Sequence, residues 1–243
     1  MIFIKILEWN IKHGGSQERI LKILDSILSH NADIVVLTEF RTSHEERMIE
    51  VLTEGGYSHF HSSNPQPKTN GIFIASRSPL TPINSTYVKE GVSQRWLEVE
   101  IPDLRCKLLC LHVPGAGDSW GKEPFWRAVL EYARDNYCER TMMIGDFNTG
   151  LRIDAQGTPF VLSECMETLL AMGWTDVWRN MNPDVREYSW NSNAGNGFRL
   201  DYIYASPSIL NEIMDVRFSH IEREKGYSDH SILKVTFDLS DAE

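Results

Sequence analysis

Two apolar stretches of this chain border short groups of carboxylate, amide and imidazole side chains. The stretch 141–144 runs directly into Gly145-Asp146-Phe147-Asn148, and Ser228-Asp229-His230 opens the stretch 231–235. The end of a β-strand is a place where a sheet can hold polar groups rigidly against a ligand. Asp, Asn and His side chains together are suited to binding a hard divalent cation and a phosphate while a water molecule is activated.

Six places in the chain share this layout, with polar side chains at or beside the end of a strand-like run. They are Asn10, Glu39, His112, Asp146 with Asn148, Asp201, and Asp229 with His230. Taken singly, each has an ordinary structural role: an Asp or Asn forms a turn, a Glu pairs with a neighbouring Arg, and a His packs in the core. Six such coincidences are much rarer than any one of them, so the set predicts a single catalytic centre.

The elements that must position these residues follow from hydrophobic periodicity and from Gly and Pro breakers. The predicted strands are 2–9, 33–38, 72–76, 96–101, 107–113, a run ending at Asp146, 199–205, 213–219 and 231–237. The predicted helices are one capped by Ser16, then 43–53, 122–137 and 162–172. The strand-only stretch 71–113 predicts antiparallel pairing, which excludes a purely parallel sheet. We expect one domain over residues 1–243, built as a mixed α/β sandwich.

The composition and net charge of the chain limit the kinds of partner that it could bind. The chain has 243 residues, of which 42% are hydrophobic and 24% charged, as in ordinary globular proteins. The formal net charge of -10 argues against a constitutive nucleic-acid coat or a membrane surface as partner. It is compatible with a metal-dependent enzyme acting on phosphates, because bound cations reverse the local field. The four cysteines form no Cys-x-x-Cys pair, and neither a signal peptide nor a membrane span is evident, so we expect free thiols and a cytoplasmic location. No obligate protein partner is evident either.

The polar residues and their flanking strands resemble the endonuclease/exonuclease/phosphatase superfamily, which includes deoxyribonuclease I, exonuclease III and the abasic-site endonucleases. The segments appear in the family's order and extend over almost the whole chain. They are Glu8-Trp9-Asn10-Ile11, Val36-Leu37-Thr38-Glu39, Asn70-Gly71-Ile72-Phe73-Ile74-Ala75-Ser76, Leu111-His112-Val113-Pro114, Ile144-Gly145-Asp146-Phe147-Asn148, Arg199-Leu200-Asp201-Tyr202-Ile203 and Ser228-Asp229-His230.

The resemblance implies a deoxyribonuclease I-like fold, a four-layer α/β/β/α sandwich of two mixed β-sheets flanked by helices. It also implies hydrolysis of phosphate esters with Mg²⁺ or Mn²⁺ at one edge of the paired sheets. Carried over by position, Glu39 would be the principal metal carboxylate, with Asn10 and Asp229 nearby. A cation held by one or two carboxylates keeps free positions for water and phosphate.

The remaining members of the set take their roles from the same resemblance. Asp146 and Asn148 would orient the attacking water and the phosphate. His230 would contact the scissile phosphate, oriented by Asp201, because a neighbouring carboxylate favours the imidazolium that can donate to phosphate. His112 occupies a position where some members have Tyr and others His.

The substrate is less well defined by the sequence. Trp190 and Phe198, with Leu200, resemble the apolar pocket in which abasic-site endonucleases bind a flipped sugar; the alternative is that they are core aromatics. Arg95, Arg77 and Lys68 are candidate phosphate contacts, and a solvated surface is their alternative role.

Some features of the sequence argue against a role in DNA repair. The loop 191–196 is short and uncharged where repair enzymes carry a longer basic loop, and Gly115 and Asp118 replace an Asn and a basic residue. Three hypotheses remain: a nuclease with endo- or exonucleolytic action, a phosphatase or small-molecule phosphodiesterase on the same scaffold, and a non-catalytic phosphate binder. The intact polar set argues against the third. The form of residues 199–203 favours the first, with a phosphodiester substrate, most simply nucleic acid.

Overall fold

The computed structural model describes residues 3–88, 92–115, 117, 121–158 and 160–239; Ile2, in the first predicted strand, and Asp118 lie outside them. The strands are β1 (Phe3–Asn10), β2 (Ile34–Phe40), β3 (His59–Ser62), β4 (Gly71–Ser76), β5 (Thr81–Ile83), β6 (Trp96–Ile101), β7 (Cys106–His112), β8 (Thr141–Asp146), β9 (Thr175–Asp176), β10 (Trp190–Asn191), β11 (Gly197–Phe198), β12 (Asp201–Ala205), β13 (Ile213–Ser219) and β14 (Ile232–Asp238). The α-helices are α1 (Gln17–His30), α2 (Glu45–Glu54), α3 (Lys122–Asn136), α4 (Ser163–Ala171), α5 (Val177–Met181) and α6 (Ile221–Glu224).

Two six-stranded sheets dominate the described residues. One has the order β13-β14-β1-β2-β4-β3 and the other β5-β6-β7-β8-β12-β9, and β10 and β11 form a separate two-stranded ribbon. The pairs β1–β2 and β7–β8 are parallel, whereas the other neighbours in these sheets are antiparallel. Both sheets are therefore mixed, and the predicted antiparallel pairing across 71–113 is confirmed.

The layers follow from which faces of the strands are apolar. One buried cluster fills the space between the sheets and contains Ile6 and Val36 from the first sheet and Leu108 and Ile144 from the second. A second cluster packs α1 and α2 on the outer face of the first sheet, and a third packs α3 and α4 on the outer face of the second. The predicted four-layer α/β/β/α sandwich is confirmed. That the whole chain from 1 to 243 is one domain stays a prediction.

Most element boundaries agree with the sequence within a few residues. Every predicted strand overlaps an observed one, and Ser16 caps α1 by accepting a hydrogen bond from the Arg19 amide. The helix predicted over 43–53 begins as a 3₁₀ turn at Thr42–His44 and continues as α2. The short strands β3, β5, β9, β10 and β11 and the short helices α5 and α6 were not predicted, because two to five residues carry too little periodicity to be recognised.

All four cysteines are free thiols, as predicted, and Cys106 and Cys110 lie together in the core between the sheets. Among the described residues, no helix has the length and apolarity needed to cross a membrane.

The strand register brings the polar residues to one edge of both sheets. Asn10 pairs with Thr38 where parallel strands β1 and β2 end, and His112 pairs with Asp146 where β7 and β8 end. Asp201 lies opposite Asp146 because β12 runs antiparallel to β8 and begins there. Residues far apart in the chain therefore share one edge.

Candidate active site

Asp146 lies at the centre of the hydrogen bonds at this edge. Its Oδ2 accepts a hydrogen bond from Asn10 Nδ2 at 2.9 Å, and its Oδ1 accepts one from the Asn148 amide at 2.8 Å. Asn148 has φ 44, which turns the chain sharply after β8, and its side-chain amide donates to the Val113 carbonyl at 2.9 Å. Asp146 is buried, and burial raises its pKa to about 7, although the cationic His230 opposes the shift and the Asp201 carboxylate adds to it. Asp146 can therefore gain or lose a proton near neutrality.

The approach of β8 to β7 depends on Gly145. This glycine has φ +144, and a Cβ at this position would lie 1.9 Å from the Leu111 carbonyl oxygen. Only glycine permits this close approach of the two backbones just before Asp146.

His230 is bound to Asp201, as the sequence predicted for this pair. The Asp201 carboxylate oxygens lie 2.9 and 3.1 Å from His230 Nδ1, and His230 Nε2 lies 3.9 Å from Asp146 Oδ2. Burial alone would lower the pKa of His230, but Asp201 and Asp146 raise it to about 10. The imidazole is therefore cationic at neutral pH, and Nε2 carries a proton.

Asp201 is free for this role because Arg199 has other partners. The Arg199 guanidinium is buried against Asp176 at 2.5 Å and Asp154 at 2.7 Å. The ion pairs of Arg199 are therefore made with Asp154 and Asp176.

His112 is buried between the carboxylates of Asp146 and Glu39. Its Nε2 lies 3.8 Å from Asp146 Oδ2 and 3.9 Å from Glu39 Oε1, and Arg95 Nη1 lies 3.1 Å from its Nδ1. Burial and the Arg95 charge lower the pKa of His112 to about 3, despite the opposing effect of Glu39. His112 is thus neutral where His230 is cationic, and Arg95 lies at the same edge as both.

Glu39 occupies a bulge at the end of β2. The pairing of β2 with β4 shifts register between Thr38 and Phe40, and Glu39 has φ 55. Its carboxylate contacts His13 Nδ1 at 2.9 Å and keeps 20% side-chain exposure. Burial raises the pKa of Glu39, but the contact with His13 and the neighbouring His112 imidazole outweigh it and lower the pKa to about 2. Glu39 is therefore an ionised, accessible carboxylate at neutral pH.

The Asp229 side chain is more exposed to solvent than that of Glu39. Its Oδ2 is 3.0 Å from Lys12 Nζ and 3.4 Å from Trp190 Nε1, and none of its described contacts joins it to Glu39. Burial raises the pKa of Asp229, but His230 and Lys12 lower it on balance. Asp229 is ionised at neutral pH.

The donor atoms at this edge fit a divalent ion. Glu39 and Asp229 offer ionised carboxylates and Asn10 an amide oxygen, the ligand types that Mg²⁺ and Mn²⁺ accept. The ligand atoms of Asp146, Asp201 and His230 also lie within 4.8 Å of one another, but a cationic His230 has no free nitrogen lone pair and is not a metal ligand in this state. The chain therefore offers metal ligands here.

The aromatic residues divide into buried and accessible members. Phe198 and Leu200 are only 8% and 3% exposed, whereas Trp190 is half-buried, with its ring centroid 5.8 Å from Phe198 and 6.4 Å from His230. Burial of Phe198 and Leu200 favours the packing alternative for these two, and Trp190 is the member that a substrate could reach. The pocket stays a prediction.

Arg77 does not belong to the site. It follows β4 at the end opposite Gly71, donates to the Ala32 carbonyl and stacks on Tyr57. The expectation that Arg77 contacts phosphate is wrong, because β4 carries it to the far end of the sheet. Lys68 precedes β4 on the site's side.

Sequence reasoning missed three residues that border the site. Lys12 and His13 contact the two proposed metal carboxylates, and their position just after Asn10 was the signal that could have found them. Lys122 donates to the Asn148 carbonyl at 2.5 Å from the first turn of α3, and no local pattern indicates that contact.

Glu8, which precedes Trp9 and Asn10 in β1, is fully buried beneath the site, and its Oε2 has no hydrogen-bond partner among the described residues. Burial and the charges of Asp201 and Asp146 raise its pKa well above the usual range.

Comparison with known proteins gives a consistent result. The protein-family model described as "Endonuclease/Exonuclease/phosphatase family" matches residues 7–230 of this chain. A curated relative named exodeoxyribonuclease, from Streptococcus pneumoniae serotype 4, is 25% identical over 278 residues, covering 97% of this chain and 100% of the relative.

Solved structures share the fold. An AP endonuclease from Archaeoglobus fulgidus matches with a TM-score of 0.83 and 20% identity, covering 97% of this chain and 99% of that one. A 3′ phosphatase from Neisseria, bound to a product DNA hairpin, matches with a TM-score of 0.82 and 22% identity, with the same coverage. A 3′-5′ exonuclease from Neisseria meningitidis matches with a TM-score of 0.79 and 23% identity, covering 97% and 100%.

Proposed function

Because the chain belongs to the endonuclease/exonuclease/phosphatase family and is a phosphoester hydrolase, we propose that it is a Mg²⁺- or Mn²⁺-dependent nuclease. The observation that supports this most strongly is the convergence of Glu39, Asp146 and His230, from three distant segments, on one edge of the sandwich. Catalysis would be in-line attack of an activated water on a phosphodiester, in which a P–O bond to the water oxygen forms, the opposite P–O bond breaks, and an alcohol and a phosphate monoester are released.

In this proposal Glu39, Asn10 and Asp229 hold the divalent ion. When bound, such an ion acts as a Lewis acid that stabilises negative charge developing on the phosphate. Glu39 and Asp229 are ionised before any ion arrives, so neither must lose a proton to bind it.

Asp146 accepts the proton of the attacking water. Its pKa of about 7 is close to neutral pH, and a general base is most effective when its pKa lies near the pH at which the enzyme works. Hydrogen bonds from Asn10 Nδ2 and from the Asn148 backbone amide fix the carboxylate, so it stays oriented as its charge changes. The Asn148 side chain adds a neutral donor near the phosphate.

His230 donates from Nε2 to a non-bridging phosphate oxygen. Asp201 holds Nδ1 and keeps the ring cationic, and the Trp9 indole donates to the His230 carbonyl at 3.0 Å, which fixes its backbone. A preorganised donor in a buried site is worth about 10²–10³ in rate.

We propose DNA ends as the substrate. A relative that aligns over its full length is named exodeoxyribonuclease. Trp190 can stack on a terminal base, a contact worth about 1–3 kcal/mol. The net charge of -10 disfavours tight binding along duplex backbone, which needs many Lys and Arg contacts.

The alternative is a phosphatase on the same scaffold. Similarity to the Neisseria 3′ phosphatase supports it, and the same edge could accept a terminal phosphate monoester.

A substrate panel tests the proposal. Purified protein with Mg²⁺ or Mn²⁺ is offered a 3′-recessed duplex, a 3′-phosphorylated duplex, an abasic duplex, supercoiled plasmid, single-stranded RNA and bis-p-nitrophenyl phosphate. We expect nucleotides to be released from the 3′-recessed duplex. Cleavage of the small diester alone would refute the nuclease, and release of phosphate alone would favour the phosphatase.

Variants test the residues. Asp146→Asn and His230→Ala are each expected to lose more than 99% of kcat while melting as cooperatively as the wild type. Asp25→Asn, which removes an exposed carboxylate on α1, is the matched control and keeps full activity. Near-normal turnover in either site variant contradicts the assignment.

A further inference from the structure

The loop after β1 has an unusual backbone. Lys12, His13, Gly14 and Gly15 all have positive φ, at 46°, 65°, 70° and 71°. For Lys and His this left-handed conformation is unfavourable, and it persists only where the surrounding structure imposes it. Such strain at the edge of a proposed active site points to a positional requirement.

Several contacts impose this conformation. Asn10 Oδ1 accepts a hydrogen bond from the Lys12 amide at 3.0 Å, and the Arg19 guanidinium donates to the carbonyls of Lys12 and Gly14. A Cβ at Gly14 would lie 2.8 Å from His44 Cδ2, so the loop packs against its neighbours without room to relax. The position of His13 is therefore built into the fold.

The loop places the His13 imidazole against the Glu39 carboxylate. His13 Nδ1 lies 2.9 Å from Glu39 Oε2, yet this buried nitrogen has no aligned hydrogen-bond partner in the described part of the chain. Glu39 itself has φ 55, at the bulge in β2. Two unfavourable backbone conformations thus bring a nitrogen and a carboxylate oxygen to 2.9 Å from each other, outside the aligned geometry of a good hydrogen bond. Adjacent ligands of one metal ion have this relationship.

We propose that His13 is a ligand of the divalent ion that Glu39 holds, so that the site prefers a first-row transition ion such as Mn²⁺ to Mg²⁺. This inference rests on the proposed function, in which Glu39 binds the ion. Imidazole nitrogen is a ligand of transition ions, whereas Mg²⁺ favours oxygen donors in octahedral geometry. His112 Nε2, 3.9 Å from the other Glu39 oxygen, adds to the nitrogen character of the site.

Pulsed electron paramagnetic resonance of the full chain loaded with Mn²⁺ tests this inference directly. A coordinated imidazole gives nitrogen modulation, which should be present in the wild type and lost or clearly reduced in His13→Gly. Glycine suits φ +65, so this variant removes the side chain without adding backbone strain. His59→Ala, on the edge strand β3, is the matched control and keeps the full modulation.

Calorimetry with each ion alone gives a second measure. We expect His13→Gly to reduce the ratio of Mn²⁺ to Mg²⁺ affinity at least tenfold, with little change in Mg²⁺ binding. Absence of nitrogen modulation in the wild type, or undiminished modulation in His13→Gly, overturns the inference.

The two proposals fail in different ways. If Mn²⁺ binds through oxygen atoms alone while nucleic acid is still cleaved in a metal-dependent manner, only the role of His13 fails. If neither ion binds and a chelator does not affect hydrolysis, the proposed metal mechanism fails with it.

Discussion

Replacing Asp201 by Asn tests how the charge state of His230 is set. The substitution keeps the shape of the side chain and removes the negative charge 2.9 Å from His230 Nδ1. Both residues are buried, so water cannot screen the loss. The pKa of His230 should therefore be lower in the Asp201→Asn variant than in the wild type.

The magnitude follows from the pKa of His230. Its value of about 10 lies roughly 3.5 units above the ordinary histidine value, which corresponds to about 5 kcal/mol. Burial acts in the opposite direction, and Asp201 is the foremost group that raises the pKa, ahead of Asp146. We expect Asp201→Asn to lower the pKa by at least about 2 units, or about 3 kcal/mol.

Stability changes with pH in a defined direction. A histidine with a raised pKa contributes stability that is fully present below the unfolded-state value of about 6.5 and is lost as pH rises through the folded value of about 10. Asp201→Asn should therefore be most destabilised at pH 6, with the difference from wild type shrinking toward pH 10. At pH 9, where the wild type keeps the cationic donor and most of the variant does not, kcat should also fall by about 10²–10³.

Two assays measure these changes. An NMR titration of the His230 ring, in the presence of a chelator, reports the pKa, and denaturant unfolding at pH 6, 8 and 10 reports stability. Asp25→Asn is again the control. A His230 pKa still above 9 in Asp201→Asn, or a stability difference that does not change with pH, would show that Asp201 does not set the charge.

Three further predictions concern the stability of the fold and the requirement for a metal ion. Gly145→Ala should lower the free energy of unfolding by at least about 3 kcal/mol, because its Cβ would meet the Leu111 carbonyl oxygen at 1.9 Å. Gly117→Ala, whose Cβ would meet no atom of the described residues within 4 Å, should melt like the wild type. Burial raises the pKa of Glu222, but contacts led by His30 lower it to about 2. Glu222→Gln should therefore cost about 1–2 kcal/mol at pH 7, and this difference should disappear as pH falls from about 4.3 to 2, as denaturant unfolding would detect. A chelator should abolish hydrolysis and added Mn²⁺ should restore it; activity that survives the chelator would contradict the metal mechanism.

The sequence alone determined the elements and the identity of most polar residues at the site. Apolar runs ending in Asp146 or preceding His230 predicted strands, because burial on both faces requires continuous apolar residues. Their order along the chain predicted a mixed α/β sandwich, and the family resemblance implied its four layers. Short strands such as β10 and β11 escaped prediction, because pairs of residues form strands only when a partner strand lies beside them.

The tertiary structure decided what each polar group does. His112 and His230 are the same residue type, yet Arg95 and burial keep one neutral while Asp201 makes the other cationic. Likewise, only the fold brings His13 against Glu39. Local sequence sets which residues end a strand, but distances between strands set their electrostatic environment, and that environment decides whether each side chain is an acid, a base or a ligand.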